Sequence, residues 1–140
     1  MIYIDTSALV PYYCPEPRSA AAQRFLARQT EPAISDLVEV ELFSALARKV
    51  RAAELRRADA QRIQATFRAH LEGGLYTRLP VERRHFGIAR DWLAALHPPL
   101  AALDALHLAI AAAQPCPIVT LDRALARAAR TVGVAARVLR

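Results

Sequence analysis

Short runs of consecutive apolar residues alternate along this chain with longer amphipathic stretches. Ile2-Tyr3-Ile4 is apolar and partly β-branched, which predicts a buried strand. Asp5-Thr6-Ser7 follows with helix-start chemistry, and a short helix through Val10 is expected to end or kink near Pro11. Pro15-Glu16-Pro17 predicts a turn. Ser19 to Gln29 predicts a helix with Ala22, Phe25 and Leu26 on one side. Pro32-Ala33-Ile34-Ser35 predicts a second strand. Asp36 is expected to cap a long helix that runs to about Arg51, and an arginine-rich helix from Leu55 to Glu72 stops at Gly73-Gly74. Tyr76 to Pro80 predicts a short strand, and Glu82 to Leu96 a helix carrying Phe86, Ile88, Ala89, Trp92 and Leu93. His97-Pro98-Pro99 breaks the pattern. Leu103 to Ala113 is apolar nearly all round, which predicts a buried helix. Ile118 to Leu121 predicts a strand, Asp122 opens a last helix ending near Gly133, and Ala136 to Leu139 predicts an edge strand.

Strands alternating with helices predict an α/β domain with a mostly parallel sheet. In such sheets the ligand site lies beyond the carboxyl ends of the strands. The 140 residues fit one domain, 1–140, and 54% of them are apolar, enough for a sizeable core. No basic segment followed by an apolar stretch opens the chain, and no apolar run reaches the ~18 residues that span a bilayer. A cytoplasmic protein with no membrane contact is the resulting expectation. Cys14 and Cys116 lie too far apart for a structural zinc pair and are read as free thiols.

The net charge is +6, and 18 of the 19 basic residues are arginine. The sign favours a polyanionic partner such as nucleic acid, or an acidic protein. Coding bias accounts equally well for the excess of arginine over lysine.

Four acids stand apart from the polar surface. Asp5 directly follows the first strand and Asp122 follows the strand at 118–121, so parallel pairing brings both carboxylates to one sheet edge. Each also precedes a helix, where capping alone would explain it. Asp104 lies in the most apolar helix, where an unpaired carboxylate is costly and calls for a cation, donors or a metal. His107 is three residues further on, and an ordinary core or surface histidine is the simpler reading of it. Glu39 and Glu41 lie in the long third helix, about 200° apart around its axis, so only one can serve a given site. Periodicity leaves that choice open. Carboxylates brought together repel one another, and a hard divalent cation, magnesium or manganese, relieves the repulsion.

With these residues in view the chain resembles PIN-domain ribonucleases, most closely the VapC-type toxins of toxin–antitoxin pairs. The resemblance rests on four ordered pieces: Ile2 to Leu9, Glu41-Leu42-Phe43-Ser44-Ala45-Leu46, Leu103 to Ala109, and Val119-Thr120-Leu121-Asp122. It implies a PIN-like α/β/α fold in three layers with a short, mostly parallel central sheet. It implies acidic-site roles for Asp5, Glu41, Asp104 and Asp122, with Asp5, Asp104 and Asp122 chiefly holding Mg2+ or Mn2+. It selects Glu41 over Glu39, because the matching acid precedes Leu-x-x-Ala-Leu. Thr6, Ser7 and Thr120 match polar positions near such sites, and Arg123 is a candidate RNA contact. Leu121 stands where the family often carries a bulkier aromatic. The implied activity is metal-dependent endoribonucleolytic hydrolysis of RNA. The implied partners are a VapB-type antitoxin, docking on the helices between Asp36 and Glu72, and a second copy in a homodimer. The competing expectation is a non-catalytic PIN-like RNA-binding or scaffold module, which usually lacks one or more of the acids. A phosphatase with two aspartates two residues apart is disfavoured by Asp5-Thr6-Ser7, and a receiver domain by the lack of adjacent early acids.

Overall fold

A computed structural model describes residues 1–140. The elements run β1 (Ile2–Ile4), α1 (Thr6–Tyr13), α2 (Ser19–Leu26), β2 (Pro32–Ser35), α3 (Asp36–Arg51), α4 (Arg57–Glu72), β3 (Thr77–Leu79), α5 (Arg83–Ala94), α6 (Ala102–Ala113), β4 (Ile118–Thr120), α7 (Arg123–Thr131) and β5 (Ala136–Val138). All strand pairings are parallel, in the order β3-β2-β1-β4-β5. Tyr3, Ile4, Ile34, Ile118 and Val119 are almost fully buried. Burial of central strands on both sides is what a parallel sheet needs, because each crossover lays a helix on a face. The result is the expected three-layer α/β/α arrangement. No helix is long and apolar enough to cross a membrane.

The strand order fixes where chemistry can sit. From β1 the chain moves outward to β2 and β3, then returns to β1's other side for β4 and β5. The direction of winding therefore switches between β1 and β4, and the crevice beyond their carboxyl ends is the favoured ligand position in open α/β sheets. Tyr3 pairs with Ile118 and Ile4 with Val119, and the Asp5 amide donates to the Val119 carbonyl at 3.1 Å. Asp5 thus leaves the sheet beside Thr120, two residues before Asp122.

Three local expectations need correction. Pro11 does not end α1, which continues to Tyr13. Only the bond to the Ser7 carbonyl is lost, and the last turn is held by the Cys14 amide on the Val10 carbonyl at 2.8 Å and by burial of Leu9, Val10 and Pro11. The Tyr13 hydroxyl adds bonds of 2.6 Å to His70 Nδ1 and to the Tyr76 hydroxyl. Asp36 does not cap α3; Ser35 does, its hydroxyl accepting from the Val38 amide. The Asp36 carboxylate instead accepts from the Val81 amide, tying the start of α3 to the loop after β3. Two helices start later and two end earlier than periodicity suggests: α2 stops at Leu26, α4 starts at Arg57, and α5 runs from Arg83 to Ala94 with Glu82 as its cap. Both cysteines are free and buried.

α6 carries an unbroken buried run from Ala105 to Ala111. Its first turn opens at Ala102 with Ala101 as cap, so Asp104 is not a capping residue. Gly133 follows α7 with φ +84°, a conformation that only glycine adopts without strain, and it turns the chain back into β5.

Candidate active site

Asp5 is the most constrained of the four acids. Its side chain caps α1: Oδ1 accepts from the Ala8 amide at 3.1 Å and also from the Ser7 hydroxyl at 2.8 Å. Its Oδ2 accepts from the Thr120 hydroxyl at 2.7 Å. The side chain is 4% exposed. Burial pushes its pKa up, and the bonds from Thr120 and Ser7 only partly oppose this. Ser7 and Thr120 also contact each other at 3.1 Å, and their oxygens accept from the Leu121 and Asp122 amides. The short β1–α1 and β4–α7 turns are therefore stitched into one unit.

Asp122 caps α7, its Oδ1 accepting from the Ala124 and Leu125 amides at 2.7 and 3.1 Å. Its Oδ2 has no partner and the residue is exposed. The capping explanation therefore holds for Asp5 and Asp122, but it uses only part of each carboxylate.

Glu41 projects from α3 toward α1 and α6. Its Oε1 accepts from the Thr6 hydroxyl at 2.7 Å and contacts His107 Nε2 at 2.5 Å. Burial pushes the carboxyl pKa up, but the His107 and Thr6 bonds outweigh it and the net shift is downward. Glu39 faces away and pairs with Arg78 of β3, with oxygen–nitrogen distances of 2.7–2.8 Å. Packing thus turns Glu41 toward Thr6 and His107 and Glu39 toward Arg78. Glu41→Gln is expected to cut catalytic rate by about 10²-fold or more, while Glu39→Gln leaves it within about twofold. Steady-state kinetics on the two purified variants checks this, and the reverse ranking would sink the placement of Glu41.

Asp104 is half-buried and makes no hydrogen bond. Its pKa is raised first by burial; His107 opposes the shift, and the negative charges of Asp122 and Glu41 add to it. The charges of Glu41 on α3 and of Asp122 after β4 thus both reach Asp104. Asp5 in turn feels His107. His107 thus acts on Asp5, Glu41 and Asp104, and Asp122 acts on Asp104.

His107 is the residue that sequence reasoning undervalued. It is 3% exposed and lies between Glu41 and Tyr3, whose hydroxyl is 2.6 Å from Nδ1. The Tyr3 hydroxyl also lies 2.8 Å from Ser35 Oγ. One consistent chain of donors follows: Ser35 to Tyr3, Tyr3 to His107 Nδ1, and His107 Nε2–H to Glu41. Its only sequence signal was a polar residue inside the buried run of α6.

Glu41, Thr6, Ser7, Arg48 and Lys49 line a groove of about 480 Å³. Lys49 is already paired with Glu16 at 2.6 Å. No three His, Cys, Asp or Glu side chains converge into a closed ligand set. Magnesium does not require one, because it keeps several waters and binds through one or two carboxylates. The donor chemistry fits such an ion: Asp104 has two unpartnered oxygens, Glu41 Oε2 and Asp122 Oδ2 are free, and all are hard oxygen donors.

The sequence matches the PIN domain model over residues 2–131. The chain belongs to the PIN-domain family. No curated protein sequence matches it significantly. Among solved structures, this PIN domain is similar to FitAcB from Neisseria gonorrhoeae, at 20% identity and TM-score 0.70, covering 97% of this chain and 96% of that one. It is similar to VapC20 of Mycobacterium tuberculosis, described as a sarcin-ricin loop cleaving toxin, at 17% identity and TM-score 0.71 with 96% of each chain covered. It is also similar to VapBC2 from Rickettsia felis bound to a promoter DNA fragment, at 18% identity and TM-score 0.71 over the full length of both chains. At these identities the likeness establishes the PIN fold.

Proposed function

We propose that this PIN domain is a metal-dependent endoribonuclease and the toxin of a toxin–antitoxin pair. The observation that supports the reading most is that Asp5 and Asp122 follow the adjacent strands β1 and β4 at the switch point of the sheet, with Asp104 coupled to both Glu41 and Asp122. A non-catalytic module has no need to keep Asp104 half-buried, without a hydrogen bond, and repelled by Asp122 and Glu41.

Asp5, Asp104 and Asp122 would hold magnesium or manganese. When bound, such an ion polarises the phosphate and lowers the pKa of water. The chain's own groups do the rest. Ser7 and Thr120 fix the Asp5 carboxylate. His107 and Thr6 hold Glu41 by Oε1, leaving Oε2 to accept a proton from the attacking water. Attack by water leaves a 5′-phosphate and a 3′-hydroxyl, with no role for the ribose 2′-hydroxyl. Arg123, exposed beside Asp122, would meet the RNA backbone.

The named relatives include a structure described as a toxin, VapC20, and the VapBC2 assembly. By analogy, a VapB-type antitoxin would lie in the groove of about 650 Å³ between α1, α2 and α4, which offers Tyr12, Leu26, Ile63 and Leu75. That surface shares only α4 with the α3–α4 face expected from sequence. A homodimer is also part of the proposal.

Removal of divalent ions with EDTA is expected to reduce RNA cleavage to background, and added Mg2+ or Mn2+ to restore it. Products sequenced from both ends should carry 5′-phosphates. Cleavage that persists in EDTA, or 2′,3′-cyclic phosphate ends, would exclude the mechanism.

A further inference from the structure

The positive charge of this protein is not spread evenly. On α7, Arg123, Arg127 and Arg130 recur at helical spacing on one exposed face, rising about 10 Å along the axis. Arg137 and Arg140, from β5 and the residues after it, lie alongside, and Arg24 and Arg28 of α2 complete the far wall. Together they line two adjoining grooves, of about 230 and 690 Å³, which share Arg130 and Arg140. No aspartate or glutamate lines either groove, and none of the seven arginines forms a salt bridge, although five arginines elsewhere do. These seven outnumber the whole chain's net charge of +6.

Like charges gathered without counter-charges oppose folding, so the fold carries this patch uncompensated. Two of the guanidinium groups are nevertheless held in place. Arg130 Nη2 donates to the Ala136 carbonyl at 3.1 Å, and Arg137 stacks over the Phe25 ring at 5.3 Å. The patch begins at Arg123, the residue after Asp122, and leads away from the acidic site around the β5 edge of the sheet.

We infer that this arginine track binds the phosphate backbone of the RNA beyond the cleaved bond. The inference rests on the ribonuclease reading and adds the surface that holds the substrate. Arginine's planar fork suits phosphate oxygens. Continuity with the carboxylates distinguishes this occupant from an acidic protein. So does the lack of apolar anchors: none of the exposed large hydrophobic residues lines either groove.

Arg24, Arg28, Arg127 and Arg140 make no side-chain hydrogen bond, ion pair or ring contact, so replacing all four by Gln should preserve the fold, with an unchanged circular-dichroism melt. Binding of a labelled RNA hairpin is measured in EDTA across a salt series, which keeps it independent of cleavage. The quadruple Gln variant is expected to bind at least about tenfold more weakly at moderate salt, with the salt slope shallower by about 2–3. The quadruple Lys variant should keep most of the slope. Cleavage of a dinucleotide, too short to reach the track, should be unchanged while hairpin cleavage falls. Unchanged hairpin affinity and slope in the Gln variant overturns the inference even if the wild type cleaves RNA. Loss of polyglutamate binding with RNA binding intact overturns it in favour of an acidic protein. Loss of RNA binding in the variant, with no cleavage by the wild type, upholds the track and removes the nuclease reading instead.

Discussion

Replacing Asp104 by Asn is expected to lower RNA cleavage by about 10³-fold or more without loosening the fold. The carboxylate makes no hydrogen bond, so Asn removes a charge and a hard oxygen donor and breaks no contact. The effect on stability should even be favourable. Burial holds the Asp104 pKa above its unfolded value, and Asp122 and Glu41 push it the same way. The stability tied to its neutral form is therefore present at acid pH and lost as the pH rises through the folded pKa. Asn supplies a neutral side chain at every pH. In EDTA the variant should melt at or a few degrees above the wild type at neutral pH, and the difference should shrink on acidification. Full cleavage activity, or a markedly lower Tm, would contradict the assignment. Asp5→Asn is a less clean test, because it disturbs three accepted hydrogen bonds in a buried turn.

Replacement of His107 by Ala is expected to cost about 2–4 kcal/mol of stability and most of the activity. The substitution opens a cavity in α6, leaves the buried Tyr3 hydroxyl with Ser35 alone, and releases Glu41 from one of its two holds. Urea unfolding gives the first quantity. For the second, kcat should fall more than KM changes, because Glu41 is argued to act on the reacting water and not on RNA binding. A stability change below about 1 kcal/mol, with kcat intact, would show that the network is incidental. Tyr3→Phe should reproduce part of the stability loss, since it removes only the hydroxyl.

Much of this fold is written locally. The β-branched and apolar runs at Ile2–Ile4 and Ile118–Thr120 are each followed by an aspartate, and parallel pairing carries both acids to the same edge. The apolar run of α6 announces its burial. Other features depend on contacts that no local pattern encodes. Ser35 and Asp36 are both good caps, and the choice falls to Ser35 because the backbone is still extended there, at the end of β2. Pro11 is tolerated because tertiary contacts secure the turn that follows it. His107 looks ordinary until Tyr3, 104 residues away, meets it. The Arg123, Arg127, Arg130 spacing is visible in the sequence, but the four arginines that join it come from α2, β5 and the last residue.

The central position of β1 also sets the timing of assembly. This strand is made first, yet it needs β4, made more than a hundred residues later, along one flank. Until that late segment leaves the ribosome, the Asp5 carboxylate lacks the Thr120 hydroxyl. A nascent chain can therefore be nearly complete while the turn that carries Asp5 is still unsecured. Such non-local pairing is also slow to form, which lengthens the interval in which a newly made molecule keeps that turn open.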